Sequence, residues 1–216
     1  MKKILSLLAC CALHAAGAQT LDRMQWFNEP ERWSIDDDRL TIYATPHSDY
    51  WRISHYGFTV DDGPFCYATY GGEFEAKVRI DGDYRTRFDQ AGLMLRIDAE
   101  RWIKAGIEYV DGRYHLSCVV TDGRSDWSVI ALDRPVETVW IKAVRRLDAV
   151  EIYYSFDDDT YTMMRNAPFR DRIPVQVGMM AASPDGDGFE ARFDGFRVTH
   201  LPDLRRTEWL ERHAAE

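Results

Sequence analysis

The chain has 216 residues, of which 45% are hydrophobic and 29% charged, and its formal net charge is −9. This length is ordinary for one β-sandwich domain and long enough to bury a core. The excess of carboxylates would repel a phosphate backbone, so we expect no nucleic-acid partner.

The first 18 residues are typical of a secretory signal peptide. Lys2 and Lys3 form a positive n-region, an apolar run follows over 4–12, and small residues at 16–18 suit cleavage before Gln19. The apolar run is too short for a membrane-spanning helix, which needs about 20 residues. We therefore expect a secreted or periplasmic protein with no membrane span, whose mature form is residues 19–216.

Two of the four cysteines fall within this predicted signal. Acylation at Cys10, as in a lipoprotein, would leave only a stub of the apolar run, so simple secretion is favoured. Cys66 and Cys118 remain in the mature chain. In an oxidising compartment they either form a disulfide or stay as two buried thiols, and the inward position of Cys118 on its predicted strand favours thiols.

Alternation of apolar and polar residues predicts strands along most of the mature chain, because successive side chains leave opposite faces of a sheet. Residues 24–33 form an aromatic lead-in with a proline break, and 39–45 alternate as a strand. The aromatic stretch 47–72 favours loops with short strands, and surface loops often carry binding residues. Residues 73–81 predict another strand, and its inward side chains are Phe74, Ala76, Val78 and Ile80.

The central stretch, 89–128, contains three such runs in succession, each closed by a turn with Gly or Asp. The side chains predicted to face inward are Ala91, Leu93, Leu95, Ile97, Ile103, Ala105, Ile107, Tyr109, Leu116, Cys118 and Val120. Further runs follow to residue 200, and 205–214 is a candidate helix. Many strands separated by turn residues predict one all-β domain, an antiparallel sandwich or barrel.

Four segments resemble the "regulation of enolase" family, a domain-of-unknown-function group: HSDYWRISHYGF, DQAGLMLRID, WIKAGIEYVDGRYHLSCVVT and SDWSV. The resemblance runs from about Trp26 to Val198. It implies a concanavalin A-like jelly roll, as in lectins and glucanases, with two curved antiparallel sheets. It also implies that a sugar would lie across the concave sheet. The effect on enolase in the family name is not carried over, since a secreted chain would not meet a cytosolic enzyme.

The polar side chains of the central runs share one face if these strands are neighbours. These residues are Gln90, Arg96, Lys104, Glu108 and Ser117. One interpretation is a groove in which they bind a ligand's hydroxyl or carboxylate groups. The alternative is a solvated face with ordinary cross-strand ion pairs. The groove hypothesis predicts that Arg96→Ala or Glu108→Ala abolishes binding and leaves the fold intact.

Aromatic residues next to these strands favour a sugar site. Trp51, Tyr56 and Trp127 offer flat faces for stacking on a sugar ring, while Arg52 and His55 offer hydrogen bonds. Alternatively, the two tryptophans fill the ends of the sandwich core.

A glycoside-processing enzyme is a further hypothesis, and it would use Glu108 as a catalytic carboxylate with Asp89 or His55 as its partner. Glucanases of the resembled superfamily place two glutamates and an intervening aspartate on one strand. Glu73 and Glu75 have that spacing, but Phe74 stands between them, so the sequence favours binding over hydrolysis. A third hypothesis is a structural or protein-interaction sandwich without a small ligand.

We expect no cofactor and no zinc site, because the histidines are scattered and the two cysteines are far apart. A structural calcium ion is the one metal for which the sequence offers candidates, at Asp185 and Asp187 or at 157–159. Acidic tips that contain glycine are usually plain turns.

Overall fold

The computed structural model describes residues 21–136, 138–170 and 172–213. The predicted signal peptide, 1–18, lies outside these residues and stays a prediction. The strands of the described part are, in chain order, β1 (Gln25–Phe27), β2 (Trp33–Asp36), β3 (Arg39–Tyr43), β4 (Tyr50–Arg52), β5 (Thr59–Asp61), β6 (Phe65–Tyr70), β7 (Phe74–Gly82), β8 (Gln90–Asp98), β9 (Arg101–Val110), β10 (Arg113–Asp122), β11 (Arg124–Ala131), β12 (Val139–Arg146), β13 (Ala149–Ser155), β14 (Thr162–Pro168), β15 (Val175–Ala182) and β16 (Glu190–His200). A 3₁₀ turn (Leu21–Arg23) precedes them, and helix α1 (Leu204–His213) follows.

The strands form two seven-stranded antiparallel sheets. Sheet A has the order β1-β6-β15-β8-β9-β10-β11, and sheet B has the order β14-β13-β12-β7-β16-β3-β2. Among the described strands, β4 and β5 pair with each other and with no third strand. The all-β sandwich predicted from the alternation, and the concanavalin A-like class implied by the resemblance, are confirmed.

The main core lies between the two sheets, where the inward residues of both meet. The central runs supply side chains such as Leu93, Ile103 and Leu116 from sheet A, and they pack in one cluster with Val78 and Ile80 from sheet B. Ile97, Tyr109 and Val120, at or near the strand ends, pack against this cluster while partly exposed. The predicted inward face is therefore correct along all three runs.

The opposite face of sheet A is not an open solvated face. A segment that we call the arm (residues 49–63), which contains β4 and β5, lies over it. Together they bury a second apolar cluster, which contains Tyr50, Trp51, Phe65, Met94, Trp102, Val119, Met180 and Ala182. The polar residues of this face are buried as well. Gln90, Arg96 and Lys104 bond to residues of the arm, and Glu108 and Ser117 bond to Trp127 of β11. The solvated-face alternative is therefore wrong for these strands.

The start of the described chain differs from the sequence interpretation in detail. The aromatic lead-in, 24–33, contains strand β1 and ends at the first residue of β2. Strand β1 pairs with β6 and β2 pairs with β3, each at a sheet edge. Helix α1 agrees with the candidate helix to within a residue at each end, and none of its side chains is buried.

Cys66 and Cys118 are buried free thiols on β6 and β10, with three strands of sheet A between them. Burial raises the pKa of each thiol to about 12. Among the residues described, no helix is both long enough and apolar enough to span a bilayer.

Candidate functional site

A cleft of about 260 Å³ opens between the arm, sheet A and two loops at the end of that sheet. Its walls contain aromatic and charged side chains in similar number. The lining residues are Asp49, Trp51, Tyr56, Phe58, Arg87, Phe88, Gln90, Lys104, Glu108, Val119, Trp127, Pro184 and Asp185. Ligand sites usually combine apolar walls with a few well-placed polar groups, and this cleft has both features.

Lys104 lies at the centre of a buried polar network that joins the arm to the sheet. Its Nζ donates to the backbone oxygen of Tyr50 at 2.9 Å and to Oε1 of Gln90, and it lies 3.6 Å from Oδ1 of Asp49. Gln90 in turn donates through Nε2 to Asp49 and to the backbone oxygen of Phe88. A buried ammonium group needs such partners, because an unpaired charge in a low-dielectric environment is strongly disfavoured.

Glu108 forms a second polar group, next to the first. It sits opposite Gln90 in the β8–β9 register. Its Oε2 accepts hydrogen bonds from Ser117 Oγ at 2.7 Å and from Trp127 Nε1 at 2.9 Å. Only 6% of the residue is exposed, and this burial raises the pKa of its carboxyl group, although the nearby Lys104 ammonium opposes the shift. The site therefore contains a buried acid whose proton affinity is increased.

Aromatic rings form the rest of the cleft wall. Trp51 and Trp127 meet edge to face, with their ring centroids 6.5 Å apart. Tyr56 and Phe58 stack on each other at the tip of the arm, and both rings remain nearly half exposed. Phe88 approaches Trp127 from the opposite loop. A planar ligand would meet ring faces and edges on both sides.

Six of the ten residues expected to bind ligand line this cleft, and they are Trp51, Tyr56, Gln90, Lys104, Glu108 and Trp127. The other four, Arg52, His55, Arg96 and Ser117, lie outside its lining. Arg96 forms a bidentate ion pair with Asp61 of the arm, and Arg52 binds Glu100 and the backbone oxygen of Gly123. His55 is exposed and packs edge to face against Tyr56.

The expected catalytic partners of Glu108 do not line the cleft. Asp89 is buried, and it accepts hydrogen bonds from the backbone of Arg85 and Thr86 and from Ser183. The two backbone contacts hold the 85–89 turn together, and the Ser183 contact joins that turn to the loop after β15. Glu73 directly precedes β7 and Glu75 lies on it, in sheet B, where they pair with Arg146 and Lys142 respectively. The second carboxylate next to Glu108 is instead that of Asp49.

Of the two acidic turns considered for calcium, the one at 157–159 has partners within the protein, and in the other Oδ1 of Asp187 lies 3.7 Å from Nε2 of His47. Oδ1 of Asp157 accepts hydrogen bonds from Ser155 and from the backbone of Asp159 and Thr160, and Asp158 pairs with Lys77. Within the described ranges, no group of three or more acidic, histidine or cysteine side chains is arranged to hold a metal ion.

Sequence reasoning missed seven residues of the cleft lining. Val119 lies on β10, and the others come from the arm and from the loops near 87 and 184: Asp49, Phe58, Arg87, Phe88, Pro184 and Asp185. Phe58 and Asp49 belong to the aromatic stretch that was expected to carry binding residues. The loops near 87 and 184 are almost 100 residues apart in the chain, and the bond from Ser183 to Asp89 joins them. No local pattern in the sequence predicts that contact.

The family assignment follows from a profile match that covers most of the chain. The profile is described as "Protein of unknown function (DUF1349)", and it matches residues 26–201. The chain belongs to this family. The extent agrees closely with the resemblance expected from about Trp26 to Val198.

Two known proteins are similar in sequence to most of this chain. "Regulation of enolase protein 1" of Saccharomyces cerevisiae is 36% identical over 179 residues, which is 83% of this chain and 90% of the yeast protein. An uncharacterized protein of Emericella nidulans is 25% identical over 161 residues, which is 69% of this chain and 79% of that protein.

Solved structures support the fold. A functionally unknown protein from Saccharomyces cerevisiae superposes with a TM-score of 0.81 at 35% identity, over 84% of this chain and 98% of that one. The glycoside hydrolase family 43 protein BlXynB of Bacillus licheniformis, as its K247S mutant, gives a TM-score of 0.67 at 17% identity. That match covers 82% of this chain but only 37% of BlXynB, so it is a likeness of fold alone.

Proposed function

We propose that this protein is a secreted or periplasmic carbohydrate-binding domain that holds a sugar in the cleft beneath the arm. The observation that carries the proposal is the composition of the cleft. Aromatic rings of Trp51, Tyr56 and Trp127 stand around a buried polar floor formed by Lys104 and Glu108. Sugar rings have apolar faces and hydroxyl edges, so they fit a site that offers both aromatic surface and hydrogen-bonding groups.

The size of the cleft limits the ligand. At about 260 Å³ it is slightly smaller than the usual range for small-molecule sites, about 300–1,000 Å³. We therefore expect one sugar unit, or the end of a chain, to enter it. The rest of an oligosaccharide would extend past the exposed rings of Tyr56 and Phe58.

The proposal is tested on a glycan array with the chain that begins at Gln19, followed by calorimetry on any glycan that binds. Tyr56→Ala is the informative variant, because the ring lines the cleft and is 45% exposed, so its removal leaves the core intact. Trp209→Ala is the matched control, since that aromatic ring is 55% exposed on α1, outside the cleft lining.

We expect Tyr56→Ala to weaken binding by up to about tenfold, because a stacked aromatic pair contributes about 0.5–1.5 kcal/mol. Trp209→Ala should bind like the wild type. Equal loss in both variants, or no binding to any glycan, would contradict the proposal. The second result would favour a structural or protein-interaction sandwich.

A glycoside-processing enzyme is the second candidate, and the raised pKa of Glu108 beside Asp49 favours it. A general acid needs a raised pKa, and glycoside hydrolysis needs two carboxylates around the scissile bond. The test is release of reducing ends from a glycan that binds, with Glu108→Gln as the inactive variant. If a glycan that binds releases no reducing ends during prolonged incubation with the protein, this candidate is excluded for that glycan.

A further inference from the structure

The hydrogen-bond donors inside the cleft are already used by the protein. Lys104 donates to Tyr50 and Gln90 and faces Asp49. Trp127 Nε1 donates to both Glu108 and Ser117, and Trp51 Nε1 donates to the backbone oxygen of Ser54. At the rim, Arg87 pairs with Asp111 at 3.3 Å. Few side-chain donors therefore remain for an incoming acceptor, apart from the other N–H groups of Arg87 and the Tyr56 hydroxyl.

The acceptors, in contrast, are only half used. In the described part of the chain, every hydrogen bond to Glu108 goes to Oε2, and every bond to the Asp49 carboxylate goes to Oδ1. Asp185 lines the cleft and has no hydrogen bond or ion pair within the described residues. Among the described residues, two fully buried side-chain atoms lack a hydrogen-bond partner, Arg79 Nε and Tyr84 Oη. Glu108 Oε1 also lacks a partner but is not one of these atoms, so it is accessible from the cleft.

The charge and the rings of the cleft favour the same kind of ligand. Its lining contains three carboxylates and two cations, and one of those cations, Arg87, is paired with Asp111 at the rim. The whole chain has a net charge of −9, which attracts cations and repels anions. Aromatic rings also attract an ammonium group that lies over their faces.

We infer that the sugar bound in this cleft carries a free ammonium group, which donates to the unused oxygens of Glu108 and Asp49. An amino sugar supplies that donor together with a ring that stacks on the aromatic walls. A neutral sugar lacks the charge, and an acidic sugar would place a fourth anionic group beside the three carboxylates. This inference rests on the proposed function, because it names the class of sugar for the same site.

The test is calorimetry of the chain beginning at Gln19 with three ligands of equal length: β-1,4-linked 2-amino-2-deoxyglucose oligosaccharides, their N-acetylated forms, and unsubstituted glucose oligosaccharides. Measurements are made below the pKa of the amine. N-acetylation removes the charge and retains the sugar ring. We expect the amine form to bind at least tenfold more tightly than either other form, because a hydrogen bond between charged groups is about twice as strong as a neutral one.

Glu108→Gln keeps the shape of the side chain and an acceptor for Ser117 and Trp127, and it removes the negative charge. In this variant the preference for the amine should fall to about twofold. Asp187→Asn is the control, since it removes one exposed charge from the neighbouring loop outside the cleft lining. That variant should retain the tenfold preference.

Failure of this inference and failure of the proposed function give different results. Equal or tighter binding of the N-acetylated or unsubstituted form would overturn the inference and leave carbohydrate binding in place. The same holds if the array detects only glycans without an amine. A preference that persists in Glu108→Gln would also overturn it. A protein that binds no glycan at all would overturn both.

Discussion

Arg96→Ala tests whether a buried ion pair anchors the arm to sheet A. The guanidinium group donates to Asp61 at 2.8 and 2.6 Å and lies 4.4 Å from the centre of the Phe27 ring. Only 5% of the Arg96 side chain and 22% of the Asp61 side chain are exposed. Removing one partner of a buried pair costs about 3–5 kcal/mol, and the partial exposure of Asp61 places this case near 3 kcal/mol.

The assay is urea unfolding of the chain beginning at Gln19, with tryptophan fluorescence as the signal. A loss of about 3 kcal/mol corresponds to a fall in Tm of about 6–12 °C for a domain of this size. The control is Glu100→Gln, which breaks the ion pair of Arg52 with a glutamate that is 58% exposed, and it should cost at most about 1 kcal/mol.

A double variant separates the pair from the packing. Arg96→Ala with Asp61→Ala should be less destabilised than the sum of the single variants by roughly 1–3 kcal/mol, because the second substitution removes the unpaired charge. An Arg96→Ala protein as stable as Glu100→Gln, or strictly additive variants, would refute the anchoring role. The groove hypothesis expected Arg96→Ala to leave the fold intact, and the ion pair with the arm is the reason for the opposite expectation here.

Two further predictions concern packing and titration in sheet A. Gly106→Ala should destabilise the fold by about 1–3 kcal/mol or more, because a Cβ there would lie 2.6 Å from the Cα of Gly92 on the neighbouring strand. The control is Gly71→Ala, where a Cβ would have no atom within 4 Å, so its free energy of unfolding should change little. Equal effects of the two substitutions in urea titrations would contradict this prediction. Burial raises the pKa of Glu108 above its ordinary value of 4.5, so the folded state binds the proton more tightly than the unfolded state. The free energy of unfolding therefore falls as the pH rises from the unfolded-state pKa through the higher folded-state pKa. Glu108→Gln lacks this titration, so its stability relative to the wild type should increase between about pH 4 and neutral pH, and a constant difference across that range would show that the carboxyl group is not perturbed.

The binding residues on the central strands could be predicted because alternation assigns side chains to faces. Gln90, Lys104 and Glu108 each occupy an outward position of a long strand, so the pattern alone places them on one face of the sheet. The pattern could not separate them from Arg96, which shares their face. Which member of the face opens to a ligand and which one is paired with the arm depends on the position of Asp61, in a segment with weak periodicity.

What the sequence alone determined about this protein is therefore its all-β class, the inward faces of its central strands, and the family to which it belongs. These follow from a period of two that extends over many strands and from motifs in a fixed order. The tertiary structure decided that the arm covers sheet A, and that loops carrying Phe88 and Asp185 meet over Glu108. Contacts of this kind join residues that are distant in the chain through single hydrogen bonds and ring contacts, and they leave no periodic signal in the sequence.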